Sequence, residues 1–373
     1  MRIAFIDVTA TVSYGGVQTA VWNLARVLAE AGHEVTVFGG DGPLRPLGDG
    51  SGVEVSTFAF TPRERVLDLG SRFTRIVERW TFARHARRTV AAGGFDWAIL
   101  TKPFDFVWPE LMPNGSRTRF CFMSGGTDFF TGDRRLARRV DAFVACSHFN
   151  AWQISTRYKR YPAVIYNGVD TRRFARTDDT ASERRALGAA ADDVVLAFAG
   201  RLVGWKGMHV AIEALADARV AALPLRLVIV GDGPERERLA ARADALGVSA
   251  RVDFRPPMPQ ADVARLYGAA DIGLFPSIGD EAFGITLAEA MSCQCAVLAS
   301  HVGGMPEVVG NEGTAGRLVV AGRPRQWAEA IAELAVDAPL RRRLGVAARR
   351  RIESTFTWQH SAARLLHALA EPR

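Results

Sequence analysis

No apolar run in this chain reaches the roughly 20 residues that a helix needs to cross a bilayer. The opening stretch, residues 1–8, meets Asp7 too soon to be the apolar core of a secretory signal, and reads instead as a first buried strand. Cysteine is scarce. The four that occur, Cys121, Cys146, Cys293 and Cys295, show no metal-ligand spacing and sit in apolar runs, so they read as reduced core thiols of a cytoplasmic protein. There is no P-loop lysine pattern. The nearest approach to a dinucleotide fingerprint, Gly231-Asp-Gly-Pro234, lacks the third glycine and follows the second strand of its half, which argues against a nicotinamide or flavin enzyme. Low-complexity segments and short repeats are also missing.

What is present is ordinary globular composition, 48% hydrophobic and 23% charged, over 373 residues. That length exceeds one comfortable core and predicts two domains. The net charge of +7 suits nucleic acid, an anionic membrane or an anionic substrate, and selects none of them. Strand-like and helix-like periods alternate along the whole chain, which predicts α/β layers built on parallel sheets. The first half offers strands near residues 2–8, 33–38, 53–58, 96–100, 119–124, 140–147 and 164–166. A helix over 18–31 carries Val21, Leu24, Ala25, Leu28 and Ala31 on one face. Polar residues from 171 to 183 mark a boundary. The pattern then restarts with strands near 194–199, 225–230, 252–254, 272–275, 296–300 and 316–320.

Residues 63–88 hold eight arginines. Val66, Leu69, Phe73, Ile76, Val77 and Trp80 keep helical spacing, with Arg65, Arg72 and Arg79 as an opposite stripe. The favoured reading is a helix whose apolar face covers a core and whose arginines face water. The alternative is a surface helix whose arginines meet anionic lipid headgroups.

Three places carry chemistry. Residues 281–289 read as a loop into a helix, with Gly284 near a helix start whose free N–H groups favour anions, Glu281 before it and Glu289 after it. A ligand with hydroxyls at its ends and phosphates in the middle suits that arrangement. Gly15 and Gly16 follow the first strand and open a helix, a turn through which backbone can approach a phosphate. Arg201 and Lys206 share one glycine-lined loop after the first strand of the second half, where ligands bind in parallel sheets; two cations there suit a pyrophosphate.

With these in hand the chain resembles family 4 glycosyltransferases of the GT-B type over nearly its whole length. The matching elements are Gly15-Gly-Val-Gln18, Asn167-Gly-Val-Asp170, Gly200-Arg-Leu with Lys206-Gly207, Val230-Gly-Asp-Gly-Pro234, Glu281 with Glu289, and Gly303-Gly-Met-Pro-Glu307. The resemblance implies two Rossmann-like domains with parallel sheets facing across a cleft: residues 1–173 for acceptor and 174–355 for donor, with a last helix from about 356 to 373 packed back on the first. It implies transfer of a sugar from a nucleotide diphosphate sugar, by default a uracil nucleotide, to a hydroxyl acceptor such as a glycan, a lipid-linked saccharide or a small molecule. Anomeric retention is implied, and neither cofactor, metal nor nucleic acid. By resemblance, Arg201 and Lys206 hold the pyrophosphate, and Glu281 with Phe283, Gly284, Ile285 and Thr286 holds the sugar and phosphate. Glu289 holds the ribose, Gly231 and Met258 line the donor site, and Gly15 and Gly16 close on the phosphates.

Two departures stand out. Gly125, before Gly126, Thr127 and Asp128, occupies the place where many members carry a histidine, which makes Asp128 or Thr127 the nearest polar substitute on the acceptor side. Gln294 and Ala296 replace the usual glycine and proline of a turn behind the site. Rival readings are a GT-B sugar-nucleotide epimerase, a nucleotide-sugar-binding protein with weakened catalysis, and a basic membrane- or nucleic-acid-associated structural protein. The expected setting is the cytoplasm, with a peripheral seat at the inner face of the membrane as an option.

Overall fold

Alternating apolar and polar stretches become strands and helices in two units, residues 1–168 with 358–373, and residues 169–357. The structure is a computed structural model, and it describes residues 1–44, 51–126, 128–176, 179–310 and 313–371. Residues 45–50 of the expected loop and Thr127 lie outside the described residues.

The first unit holds a seven-stranded parallel sheet. Its strands are β1 (Arg2–Ile6), β2 (Glu34–Gly40), β3 (Val53–Phe58), β4 (Trp97–Leu100), β5 (Arg119–Ser124), β6 (Ala142–Ala145) and β7 (Ala163–Val164), in the order β3-β2-β1-β4-β5-β6-β7. Side chains alternate across a strand, and here both faces are covered. Ile3 and Phe5 pack with Val21, Leu24 and Leu28 of the helix Gly16–Glu30 and with Trp358, Leu365 and Leu369 of the helix Trp358–Ala370. Ala4 and Ile6 pack on the other face with Phe82, Ala86 and Val90 of the helix Ser71–Ala92. Cys121 and Cys146 are buried in this unit.

The second unit holds a six-stranded parallel sheet. Its strands are β8 (Val194–Ala199), β9 (Leu225–Val230), β10 (Val252–Arg255), β11 (Ile272–Phe275), β12 (Ala296–Ser300) and β13 (Arg317–Val319), in the order β10-β9-β8-β11-β12-β13. Each sheet therefore reverses its winding once, between β1 and β4 and between β8 and β11. In open parallel sheets the carboxyl ends of the strands at that reversal form the ligand-binding crevice. Cys293 and Cys295 are buried at the end of the helix Ile285–Ser292 and before β12.

The arginine-rich segment departs from its expected form. The helix begins at Ser71, and Arg65 belongs to a separate short turn, Arg63–Arg65. Within the helix the expected faces are exchanged in the first half. Phe73, Ile76 and Trp80 are exposed, whereas Thr74, Glu78 and Arg79 are buried. The cause is an ion cluster under the helix. Arg79 Nη2 lies 3.0 Å from Asp7 Oδ1, and Nη1 is hydrogen-bonded to Asp105. Burial opposes the arginine's charge, but Asp105 and Asp7 outweigh it and push its pKa up. Arg65, Arg72 and Arg79 consequently form no common stripe, and Arg79 meets no surface.

Candidate active site

In the second unit, the loops leaving β8 and β11 meet at the reversal point. Ile278 N–H donates to the Trp205 carbonyl oxygen at 2.8 Å, which zips the loop of Arg201 and Lys206 to the loop of Glu281. The contact is close enough to need glycine. Gly207 has φ +69°, and a Cβ there would stand 2.0 Å from the Pro276 carbonyl oxygen. The zipper brings the Lys206 ammonium into an ion pair with the Glu281 carboxylate, with both side chains still reached by solvent. Lys206 Nζ also stands 4.6 Å from the centroid of the Trp205 ring. Arg201 is exposed on the same loop, and among the described residues it makes no side-chain hydrogen bond or ion pair.

Glu281 is held from behind. Gly304 N–H donates to its carbonyl oxygen at 2.8 Å, and a Cβ on Gly303 would come within 2.1 Å of that oxygen. Phe283 is buried edge-on against Phe356, ring centroids 5.7 Å apart, which anchors the loop. Gly284 then starts the helix Ile285–Ser292 with φ +92° and no side-chain cap, leaving first-turn N–H groups around Ile285 and Thr286 available to an anion. Glu289 lies inside this helix, 7% exposed, and among the described residues its carboxyl makes no hydrogen bond. Burial pushes its pKa to about 8, with Arg173 pulling weakly the other way. Gly231, after β9, lies against Gly200, and Met258 follows β10 on the same carboxyl edge of the sheet.

In the first unit, Gly15 and Gly16 open the helix Gly16–Glu30 as expected. The preceding turn is organised by Asp7, whose Oδ1 accepts from Thr9 N–H at 3.0 Å and from the Thr9 hydroxyl at 2.8 Å. Gln18 Nε2 donates to Thr9 Oγ1 at 2.6 Å. Arg79 thus braces the glycine turn from below, through Asp7. Gly125 and Gly126 follow β5, and Gly125 sits beside the same turn: a Cβ there would stand 2.9 Å from Val17 Cγ2, so a side chain fits only if Val17 gives way. Around Gly126 the space is open. Asp128 turns the other way, toward two cations. Lys102 Nζ lies 2.6 Å from Oδ2 and Arg75 Nη1 lies 2.9 Å from Oδ1. Burial would raise the Asp128 pKa, but Lys102 and Arg75 outweigh it and hold the carboxyl below its ordinary value.

Lys102, Arg75 and Asp105 carry no role in the sequence reading, and Asp7 enters it only as a break in the opening apolar run. Asp7 and Lys102 stand directly at the carboxyl ends of β1 and β4, so a search of that edge alone would have found them. Arg75 is one arginine among eight and carries no such signal.

Two sequence profiles match consecutive parts of the chain: Glycosyltransferase Family 4 over residues 14–173 and Glycosyl transferases group 1 over residues 179–351. Among curated proteins, D-inositol 3-phosphate glycosyltransferases of Mycobacterium bovis and Mycobacterium tuberculosis are 35% identical over 245 residues, 63% of this chain. The chain matches only 49% of the length of those relatives. Among solved structures, Anabaena HepE in complex with UDP and glucose superposes with a TM-score of 0.82, at 22% identity over 99% of both chains. Sucrose-phosphate synthase of Thermosynechococcus elongatus gives a TM-score of 0.83, at 21% identity over 99% of this chain and 98% of that one. The doubly wound sheets, the glycine turns and both profiles agree, and the chain belongs to the family 4 glycosyltransferases, with the GT-B type of fold.

Proposed function

We propose that this protein transfers a sugar from a nucleotide diphosphate sugar to a hydroxyl acceptor, with retention at the anomeric carbon. The observation that carries the reading is the Lys206–Glu281 pair, held at the β8/β11 reversal beside an uncapped helix start. A pyrophosphate brought to that point takes Lys206 from Glu281 and adds Arg201 and the helix N–H groups as further donors. Glu281, relieved of its cation, is then free to accept hydroxyls of the transferring sugar. Glu289 offers a buried carboxyl to the ribose.

Catalysis is assigned to positioning and to electrostatic stabilisation of the departing diphosphate and an oxocarbenium-like sugar. The positive charge that a leaving diphosphate needs comes from Arg201, Lys206 and the helix start, so the reading gives that role to the protein's own groups, without a metal. A uracil nucleotide is the default donor, supported by a structural neighbour solved with UDP. Asp128, held by Lys102 and Arg75 at the end of β5, is assigned to the acceptor side with Gly125 and Gly126. The acceptor class is a glycan, a lipid-linked saccharide or a small glycoside, and the setting is the cytoplasm.

A thermal-shift panel of uridine, guanosine, adenosine and thymidine diphosphates, each with and without its sugar, tests the reading. A true donor at 100 times its dissociation constant adds about 2.7 kcal/mol to stability. A panel with no shift overturns it. Gly125, where a histidine is usual, favours a second reading, a nucleotide-sugar-binding protein without turnover. A shift without release of diphosphate in the presence of candidate acceptors would select that one.

A further inference from the structure

The helix Ser71–Ala92 turns an apolar line outward. Phe73, Ile76 and Trp80 follow one another at helical spacing, and they are 40%, 42% and 49% exposed. Leu67 and Leu69, in the segment just before the helix, are 74% and 65% exposed. Five large apolar side chains within 14 residues form a patch of a kind that soluble surfaces avoid unless it is used. It is no accident of a loosely packed helix. Arg79, bound to Asp7 and Asp105, fixes the opposite face inward, so Phe73, Ile76 and Trp80 have nowhere to go but out.

The surroundings of the patch say what covers it. Arg84 and Arg87 continue the line of Phe73, Ile76 and Trp80 along the helix, all exposed, with Arg88 beside them and Arg72 at the start. Arg63 and Arg65 stand before the patch. Glu64 and Asp68 are the exposed acidic residues in between, leaving a clear excess of positive charge. Apolar and aromatic side chains along one line, flanked by arginines, are the composition of a helix lying in a membrane interface: rings and aliphatic groups enter the acyl boundary while guanidinium groups meet headgroup phosphates.

We infer that the segment from Leu67 to Arg88 docks this protein on an anionic bilayer, with Leu67, Leu69, Phe73, Ile76 and Trp80 inserted and the flanking arginines on the headgroups. The seat differs from the arginine stripe that the sequence suggests, because aromatic and aliphatic groups carry it and the buried Arg79 only sets its direction. Docking of this kind stands apart from sugar transfer and is measured without any sugar.

The test is flotation of the full chain with vesicles of phosphatidylcholine alone and with about one third phosphatidylglycerol, at about 50 mM and about 500 mM salt. The expected result is binding to the phosphatidylglycerol vesicles that salt weakens. The triple substitution Phe73→Ser, Ile76→Ser, Trp80→Ser should cut that binding by roughly tenfold or more, since each inserted side chain is lost. These positions are exposed, so the variant should keep the parent's circular dichroism and unfolding midpoint. Arg84→Gln with Arg87→Gln should weaken binding at low salt and make little difference at high salt. Absence of binding to phosphatidylglycerol vesicles at low salt overturns the proposal. So does a triple variant that floats as well as the parent. Sedimentation that shows a parental dimer abolished by the triple variant, with no lipid binding, would hand the patch to a second copy of the chain instead.

Discussion

Two clusters of charge sit at the two sheet reversals, and they are built to opposite ends. Under the first sheet's edge, Arg79, Asp7 and Asp105 are sealed from water, at 5%, 0% and 2% side-chain exposure. At the second sheet's edge, Lys206 and Glu281 form one pair at 16% and 15%, on loops joined mainly by backbone. The sealed cluster cannot exchange partners without leaving a bare charge in the interior, so it serves as a fixed part. The half-wet pair can open, because water or an anion replaces what either partner loses. In the sequence both are only cations and carboxylates far apart in number. What separates a brace from a binding group is burial, which no spacing rule reports.

Removing the brace should have the largest effect. Arg79→Met leaves Asp7 and Asp105 buried without their cation and should cost about 3–5 kcal/mol in urea unfolding. A loss within about 0.5 kcal/mol, the ordinary range for surface changes, would erase the distinction between the clusters.

Glu289 is a third case, buried like Asp7 but, among the described residues, without a hydrogen-bond or ion-pair partner. Its pKa is about 8 in the folded chain against 4.5 as an ordinary value, so between these the folded state holds the extra proton. Stability therefore falls as pH rises from about 4.5 and levels off above about 8, by up to about 1.4 kcal/mol per pH unit. Glu289→Gln should flatten that slope and gain on the parent steadily as pH rises. A difference between the two proteins that stays constant from pH 5 to pH 9 would mean the carboxyl ionises freely.

Opening the pair is the next step down. Lys206→Ala should weaken a nucleoside diphosphate by about 1.5–3 kcal/mol in titration calorimetry, and the bare nucleoside hardly at all. Folding stability should change by less than about 1 kcal/mol, since a partly exposed pair contributes little. Equal weakening of both ligands would remove Lys206 from the phosphates. The companion Glu281→Gln should spare the bare diphosphate and lower turnover with the sugar donor.

The smallest effect belongs to Asp128. Its two cations are also partly exposed, so Asp128→Asn should leave donor binding unchanged and lower turnover. Unchanged kinetics would make Asp128, Lys102 and Arg75 a surface pairing and nothing more.

The parallel sheets, the strand positions and the glycine turns were legible because their signals are local: period, composition and chain-reversing glycines. The positions of Gly284 at a helix start, Glu289 inside that helix, and Lys206 and Glu281 on the loops after β8 and β11 were legible for the same reason. The pairing of Lys206 with Glu281 was not, since it depends on which strands are neighbours. Nor was the orientation of the helix Ser71–Ala92. Its apolar spacing pointed one way, and one long-range ion cluster turned it the other, so Phe73, Ile76 and Trp80 face water while Arg79 does not. Asp128 follows β5 as expected, but its binding to Arg75 and Lys102 joins residues 53 and 26 positions apart. Thr127, beside it, lies outside the described residues.

The helix Trp358–Ala370 has a consequence for how the protein is made. Trp358, Leu365 and Leu369 fill the same core as Ile3 and Phe5, yet the 189 residues of the second unit (357 − 168) come between. A ribosome adding about 5–20 residues per second needs on the order of 10–40 seconds to cover that distance. Through that interval the first unit is synthesised but unfinished, with one face of its sheet waiting for a helix not yet translated. The second unit's chain is completed before the first unit's, so the order in which the units are finished runs against the order in which they are begun.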